Sequence, residues 1–297
     1  MGCVPRSNWT RENVRHAVGF VFGYGSNPAA RVYESVGPEF PLAPAPGWLN
    51  LGLWEGAGTE AEAPRAVRRL VERLAGALPT GGTVVDVGNG LGAQDPVIAE
   101  VARPSRLVAI NITEAQLRAG RERLAAAHAL PVLADATRLP LAASSADGVI
   151  SVEAAFHFRS RRVFFEEAFR VLRPGGVLSI SDVPTLRWPR TPGELLAGLG
   201  QLRLWGLRLG AAATPDQIAA QADAAGFVDV SWDLVGDRVI APALRLLRRR
   251  MRRVGADMPG SQRLAAEVFR RQVELLWRRH VVDYLLLSAR RREGAPA

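Results

Sequence analysis

The sequence predicts an α/β protein in which helices cover both faces of a seven-stranded, mostly parallel sheet. Short β-prone runs alternate with amphipathic stretches along most of the chain, a pattern typical of a parallel sheet. The run at residues 84–87 leads directly into glycines at every second position. The 297 residues, of which 48% are hydrophobic, suffice for one large domain with additions.

Local signals support the individual elements. Residues 64–78 place their apolar side chains on one helical face, which predicts an amphipathic helix. Thr214 and Pro215 provide an N-cap and a first-turn proline for a helix that ends at Ala225. Further helices are expected at 114–130 and 163–171, and the remaining strands at 107–110, 131–133, 148–152, 177–181, 227–234 and 281–289.

The predicted domain organisation is an N-terminal lid or arm at residues 1–63 and one main domain at 64–297. The arm places aromatic residues among glycines and prolines, so we expect it to pack over another part of the protein. Within the main domain, residues 184–213 and 241–279 are predicted cap insertions. The first is rich in Trp and Leu, which indicates either a roof over a hydrophobic ligand or packing within the cap or on a second subunit.

The charge of the chain gives little information about its partners. All 38 basic residues are arginine, and the formal net charge is +9. Six arginines fall within residues 245–253, where Leu244, Leu247 and Met251 lie at helical spacing. We interpret this segment as a helix with one buried stripe and a solvated basic face. Contact with an anionic membrane surface or a nucleic acid through this face is the alternative.

Two further features bear on the compartment. The single cysteine, Cys3, excludes an internal disulfide framework and fits a reducing compartment. No run approaches the ~20 apolar residues of a membrane span. We therefore expect a cytoplasmic protein, and we expect no metal site.

The glycine-rich stretch after the first strand is the strongest candidate for a ligand site. Glycine permits a sharp turn at positive φ and lets a ligand lie against the backbone at the carboxyl end of a strand. A dinucleotide fingerprint would expect an acid about 20 residues further on, where Asn111 stands instead. The alternative pattern is Gly-x-Gly-x-Gly with an acid two residues earlier, and it is complete in Asp86, Gly88, Gly90 and Gly92.

With these residues the chain resembles the class I S-adenosylmethionine-dependent methyltransferases, which have a Rossmann-like fold. The resemblance extends to Asp135 and Ala136 after the third strand, to the turn Arg173-Pro174-Gly175-Gly176 before the fifth, and to the segment from Asn111 to Gln116. It implies that S-adenosylmethionine is the cofactor. The cofactor-binding residues that it implies are Asp86, Gly88, Gly90, Gly92, Asn111, Gln116, Asp135 and Ala136.

The same resemblance implies the catalytic residues and the substrate class. His157 follows the fourth strand and Asp182 the fifth, as do the base and its orienting carboxylate in small-molecule O-methyltransferases of this kind. The expected reaction is methyl transfer to a hydroxyl of a hydrophobic small molecule of the natural-product type. His157 could instead be only a packed side chain of the lid. The sequence leaves open whether the protein forms a homo-oligomer.

Two other functions remain open. A C-methyltransferase or cyclopropane-type enzyme acting on a lipid, isoprenoid or sterol would need a carboxylate or bound anion near a carbocation, and Glu153 could provide it. A nucleic-acid-binding protein on a retained methyltransferase scaffold is the alternative from another class.

Overall fold

The computed structural model describes residues 44–204, 211–254 and 260–293 of the chain. They form seven strands in one sheet. The strands are β1 Thr83–Val87, β2 Arg106–Asn111, β3 Ala129–Leu133, β4 Ala146–Ser151, β5 Leu172–Asp182, β6 Phe227–Leu234 and β7 Leu285–Arg291. The helices are α1 Ala63–Ala75, α2 Asp95–Ala102, α3 Glu114–Ala119, α4 Arg121–Ala126, α5 Arg161–Val171, α6 Pro192–Leu204, α7 Pro215–Ala224, α8 Gly236–Val254 and α9 Gly260–Arg278.

The strand order is β3-β2-β1-β4-β5-β7-β6. Neighbours from β3 to β5 are parallel, whereas β7 runs antiparallel to both β5 and β6. The order along the chain reverses between β1 and β4, which pair through Val85 and Val149. Open α/β sheets bind ligands in the crevice at such a reversal, beyond the carboxyl ends of the strands. The glycine-rich stretch lies at this end of β1.

Two apolar layers bury the two faces of the sheet. The first joins α1, α2, α4 and α8 to the strands, with Leu70 and Ile98 fully buried. The second joins α5 and α7, where Phe164, Phe165 and Ile218 have no exposed surface. The sequence-based prediction of a mostly parallel sheet covered on both faces is therefore confirmed.

Three of the predicted element boundaries need correction. The expected helix at 114–130 is two short helices, because the chain is interrupted at Gly120, where a Cβ would lie 2.7 Å from the Leu91 carbonyl oxygen. The last strand begins at Leu285 and not at 281, since Val282 makes only an isolated bridge to Thr185. The segment predicted as a cap insertion at 241–279 consists of the helices α8 and α9, and the first of these begins at Gly236. The helix start at Thr214 is confirmed, with a complete capping box.

The N-terminal segment Pro44–Glu62, called the strap below, packs against the main domain. Its backbone bonds to two helices, because the Leu53 N–H donates to the Ala66 carbonyl at 2.9 Å and the Trp54 N–H to the Arg238 carbonyl at 2.8 Å. The Trp54 side chain is almost fully buried. Residues 1–43 of the predicted lid lie outside the described residues.

The arginine-rich part of α8 binds the strap. Arg245 and Arg249 donate to strap carbonyls, and Arg250 donates to the Glu60 carboxylate and to the Pro44 carbonyl. Arg248 and Arg253 are also bonded to glutamates. The predicted buried stripe and solvated basic face are both confirmed, because Leu244, Leu247 and Met251 are buried and all of the six arginines except Arg250 are exposed. Five of these arginines also have partners within the protein. In the part of the chain that the structure describes, no helix is long and apolar enough to cross a membrane.

Candidate functional site

The glycine loop consists of Gly88, Gly90 and Gly92, which all have positive φ, at 85°, 56° and 74°. The Gly88 N–H donates to the Ile110 carbonyl at 2.8 Å, so the loop is fixed to the end of the neighbouring strand β2. L-residues with a side chain rarely adopt such angles. The loop is therefore a backbone bend at the mouth of the sheet.

Asp86 lies at the end of β1 and is fully buried. Both of its carboxylate oxygens accept hydrogen bonds from Gln94 Nε2, at 2.9 and 2.7 Å. Burial raises the pKa of Asp86 to about 7, although the bonds from Gln94 act in the opposite direction. Such a carboxyl would gain strongly from a cationic ligand, because an opposite charge would compensate the lost hydration. Sequence reasoning found Asp86 but missed Gln94.

Asn111 and Gln116 form the second side of the loop. The Asn111 Nδ2 donates to the Gly90 carbonyl and to the Gln116 Oε1, both at 3.1 Å. Its Oδ1 accepts from the Thr113 N–H. Gln116 Nε2 is buried, and among the described residues it has no hydrogen-bond partner. A buried donor without a partner costs free energy, so this amide is well placed for an acceptor group on a ligand.

Asp135 and Ala136 follow β3, as the sequence predicts. One oxygen of Asp135 accepts from the backbone N–H and the hydroxyl of Thr137, both at 2.8 Å, which fixes the carboxylate in a tight turn. Asp135 stays partly exposed, whereas Ala136 is buried against the second apolar layer. The turn therefore presents a carboxylate at the same end of the sheet as the glycine loop.

The strap lies over the glycine loop. A Cβ on Gly90 would be 3.2 Å from the Leu49 Cδ1 atom, so this leucine is packed against the loop. Two residues further on, the Leu51 N–H donates to the Glu153 Oε1 atom at 2.7 Å. The strap thus closes the mouth of the sheet from the side of β1 and β4.

Glu153 joins four parts of the structure. Its Oε1 accepts from the strap and from the Tyr284 hydroxyl at 2.8 Å, and its N–H donates to Ser181 Oγ of β5. Its φ of 50° is unusual for a residue other than glycine. Burial raises its pKa to about 7, yet the side chain keeps part of its solvent exposure. This combination is expected of a carboxyl that lines a narrow cleft.

His157 lies in a short 3₁₀ turn, Ala155–His157, just beyond β4. Its ring packs against Phe156, with 4.2 Å between the ring centroids, and the residue is half-buried. The Ser160 hydroxyl caps the helix that follows and so fixes the end of this loop. His157 therefore lies on the same loop as Glu153, at the carboxyl end of the sheet where the sequence places it.

Asp182 has a partner that the sequence did not predict. It is fully buried at the end of β5, and Arg161 donates to its two oxygens at 2.6 and 3.1 Å. The Val183 N–H donates to the same carboxylate. The expected hydrogen bond to His157 is not among the contacts of Asp182 within the described residues, so the predicted pairing is corrected. An arginine 21 positions away carries no sequence signal for this contact.

Comparison with known proteins identifies the family. Residues 85–180 match a family described as a methyltransferase domain. The erythromycin 3''-O-methyltransferase of Saccharopolyspora erythraea is 33% identical to this chain over 244 residues, which cover 76% of each protein. The chain belongs to the S-adenosylmethionine-dependent methyltransferases. Its enzyme class and its cofactor, S-adenosylmethionine, are as the sequence predicts.

Two more similarities show how widely this family varies. The dimethylglycine N-methyltransferase of Parasynechococcus marenigrum is 30% identical, over 71% of this chain and 72% of its own. The cyclopropane synthase MmaA2 from Mycobacterium tuberculosis shares the fold, with a TM-score of 0.72 and 17% identity over 90% of this chain and 100% of its own. The class I, Rossmann-like fold is confirmed. The names of these proteins indicate oxygen, nitrogen and carbon acceptors, so the similarities leave the acceptor of this methyltransferase open.

The residues at the mouth of the sheet fit the cofactor. The glycine bend stays partly exposed at Gly88 and Gly90, Gln116 offers an unused buried amide, and Asp86 and Asp135 provide carboxyl groups at the ends of β1 and β3. A cofactor with a cationic sulfonium, an amino group and hydroxyls can use such acceptors and donors. Among the described residues, no group of three or more His, Cys, Asp or Glu side chains could hold a metal ion.

Proposed function

We propose that this methyltransferase transfers a methyl group to a hydroxyl of a hydrophobic small molecule of the natural-product type. The observation that carries the proposal is the 33% identity to an enzyme named for O-methylation of erythromycin, over three quarters of both chains. The position of His157 in the turn just beyond β4 supports it, because open α/β sheets bind their ligands beyond the carboxyl ends of the strands.

In this proposal the mouth of the sheet holds the cofactor between two strands. The cofactor supplies an electrophilic methyl group on a sulfonium. The chain orients that group and excludes water, and in-line orientation provides much of the rate of such transfers. Leu49 of the strap covers the glycine bend. The residues assigned to the cofactor are Asp86, Gly88, Gly90, Gly92, Asn111, Gln116, Asp135 and Ala136.

His157 is the proposed general base. It would accept the proton of the acceptor hydroxyl while the oxygen forms its bond to the methyl group, and general-base catalysis of this kind contributes about 10²- to 10⁴-fold in rate. Asp182 keeps a role in the proposal, but a different one. Together with Arg161 it fixes the end of β5 next to the loop that carries His157.

The test is a screen of hydroxylated macrolides and aromatic compounds with a cofactor that carries a deuterated methyl group. We expect the label on an oxygen of the product, located by NMR. The His157→Ala variant should lose about 10²- to 10⁴-fold in kcat with little change in the Kd of S-adenosylhomocysteine. A label on nitrogen or carbon would overturn the proposal, and full activity of the variant would remove His157 from it.

Glu153 favours a second candidate function, C-methylation or cyclopropane formation on a lipid, isoprenoid or sterol. Such a reaction passes through a carbocation, which a nearby carboxylate stabilises. The carboxyl of Glu153 has a pKa raised by burial to about 7 and keeps part of its exposure. For this function we expect product formation from an unsaturated lipid, lost in Glu153→Gln and retained in His157→Ala.

A further inference from the structure

Helix α6 in the first cap insertion has its polar side inward. Glu194 is 2% exposed and Gln201 is 7% exposed, whereas Leu196 is 69% exposed. The buried polar groups have partners: Arg187 donates to both Glu194 oxygens at 2.9 Å, and Gln201 bonds to Gln272 of α9. A helix on the surface of a soluble domain normally buries its apolar stripe. Here the inner face combines these polar contacts with a small apolar cluster of Ala197, Leu276 and Val281, and Leu195, Leu196 and Leu199 are left exposed.

The outer surface forms a continuous apolar face, called the leucine face here. It consists of Trp188 and three leucines of α6. Pro189, next to Trp188, packs on this helix, because its Cγ lies 3.9 Å from the position of a Cβ on Gly198. Their exposed fractions are 71% for Trp188, 52% for Leu195, 69% for Leu196 and 47% for Leu199. These side chains are exposed and lie outside the buried core, and the roof over a hydrophobic ligand stays a prediction.

The layer that carries the leucine face is cationic. Segments 187–204 and 260–279, which pack together as α6 on α9, contain eight arginines and three glutamates. Each of these glutamates accepts from an arginine, at Glu194, Glu267 and Glu274. Arg190, beside Trp188, is exposed. Four of its arginines, Arg187, Arg270, Arg271 and Arg278, are paired with these glutamates. The layer keeps an excess of positive charge, and Arg263 and Arg279 are also exposed.

The charge of this layer distinguishes between two possible partners of the leucine face, a second copy of the chain and a lipid surface. In a two-fold dimer the same patch would meet itself, and like charges would face each other. An exposed apolar patch that includes a tryptophan, in a layer with an excess of arginines, matches the interfacial region of an anionic bilayer.

We propose that the leucine face docks this methyltransferase on an anionic lipid surface. Leu195, Leu196 and Leu199 enter the boundary between headgroups and acyl chains, and Trp188 lies at headgroup level. The arginines of the layer add attraction to anionic headgroups. The arginine-rich part of α8 is not required, since its side chains bind the strap. The proposal holds whichever atom the enzyme methylates.

The test is co-sedimentation of the full chain with vesicles of phosphatidylcholine alone and of phosphatidylcholine with an equal part of phosphatidylglycerol. We expect binding to the anionic vesicles that is at least about tenfold tighter than to the neutral ones. Leu195→Glu should weaken it about tenfold, because a carboxylate replaces an inserted leucine. The matched control is Leu130→Glu on the edge strand β3, where the leucine is 53% exposed, and it should bind like the wild type.

Three results would overturn the proposal. The first is no binding of the wild type to anionic vesicles. The second is binding that Leu195→Glu leaves unchanged, which would indicate adsorption through charge alone. The third is a dimer in sedimentation analysis that Leu195→Glu dissociates, which would assign the face to a second copy of the chain. Circular dichroism and the Kd of S-adenosylhomocysteine, unchanged in both variants, would show that they are folded.

Discussion

Gly90 combines a left-handed backbone with a close neighbour. Gly90→Ala must place its Cβ 3.2 Å from Leu49 of the strap, at a φ of 56°. Gly81→Ala is the matched control, because Gly81 has a φ of 83° and no atom within 4 Å of its Cβ position. Both variants should lose about 1–2 kcal/mol of stability from backbone strain.

Only Gly90→Ala should weaken S-adenosylhomocysteine binding in calorimetry, by about tenfold or more. An equal Kd for the two variants would show that the strap and the loop do not act together on the cofactor.

The carboxyl of Glu153 should make stability depend on pH. Its folded pKa of about 7 lies above the usual 4.5, so between these pH values the unfolded chain releases its proton first. The free energy of unfolding therefore falls as pH rises from about 4.5 to 7 and levels off above 7. Glu153→Gln removes this contribution, and its stability relative to the wild type should rise by about 3 kcal/mol across that window.

Urea denaturation at pH 5, 6, 7 and 8 measures this difference. Asp86, whose pKa is also raised, is present in both proteins and cancels. A difference between variant and wild type that stays constant with pH would contradict the prediction.

At the scale of elements, α8 should stabilise the domain through the strap. Arg250 donates from Nε to both Glu60 oxygens at 2.9 Å and from Nη2 to the Pro44 carbonyl at 2.8 Å. Arg250→Ala should lower the free energy of unfolding by about 1–3 kcal/mol, since it leaves these acceptors without their donor. Arg252→Ala, at an exposed position of the same helix, should change it by less than about 0.5 kcal/mol. The denaturant midpoints of the two variants measure these changes. Equal losses of stability would contradict a specific role of Arg250 in holding the strap.

The contact between α5 and β5 should cost more to break. Arg161 and Asp182 are both buried, so removing one partner leaves an uncompensated charge. Arg161→Met or Asp182→Asn alone should lower stability by about 3–5 kcal/mol. The double variant should lose clearly less than the sum, measured by denaturation, and additive losses would show that the two side chains do not interact.

The elements that sequence could predict are those with a local signal. β1 and β6 and the start of α7 follow from β-prone runs, glycines and the Thr214 cap. The close approach of Gly120 to the Leu91 carbonyl could not be predicted, because Leu91 is distant in sequence.

In the site, too, features with a local sequence signal could be predicted and features set by tertiary packing could not. The positions of Asp86, Asp135 and His157 follow from strand ends. Their partners do not: Gln94 on Asp86, Arg161 on Asp182 and Tyr284 on Glu153 are all set by tertiary packing. The direction of the α6 leucines also lacked a signal, since a helix with apolar residues on most sides has no preferred inner face.

At the scale of the whole molecule, the cofactor should stabilise the entire domain, because its proposed site joins the strap, β1, β2 and β3. A ligand at about 100 times its Kd adds about 2.7 kcal/mol to the free energy of unfolding. We expect S-adenosylhomocysteine to raise Tm by several degrees in a thermal shift experiment. NAD at the same concentration should have no effect, and an equal shift with NAD would reopen the dinucleotide interpretation of the glycine loop.

The position of β7 between β5 and β6 has a consequence for how the protein is made. Among the strands that the structure describes, β6 hydrogen-bonds only to β7, and the helices α8 and α9 separate the two strands along the chain. During synthesis β6 is therefore made well before β7, the strand to which it bonds. Until β7 is made, the N–H and C=O groups of β6 that bond to it remain hydrated. Any expression fragment that stops short of Leu285 would leave β6 without an attachment to the sheet.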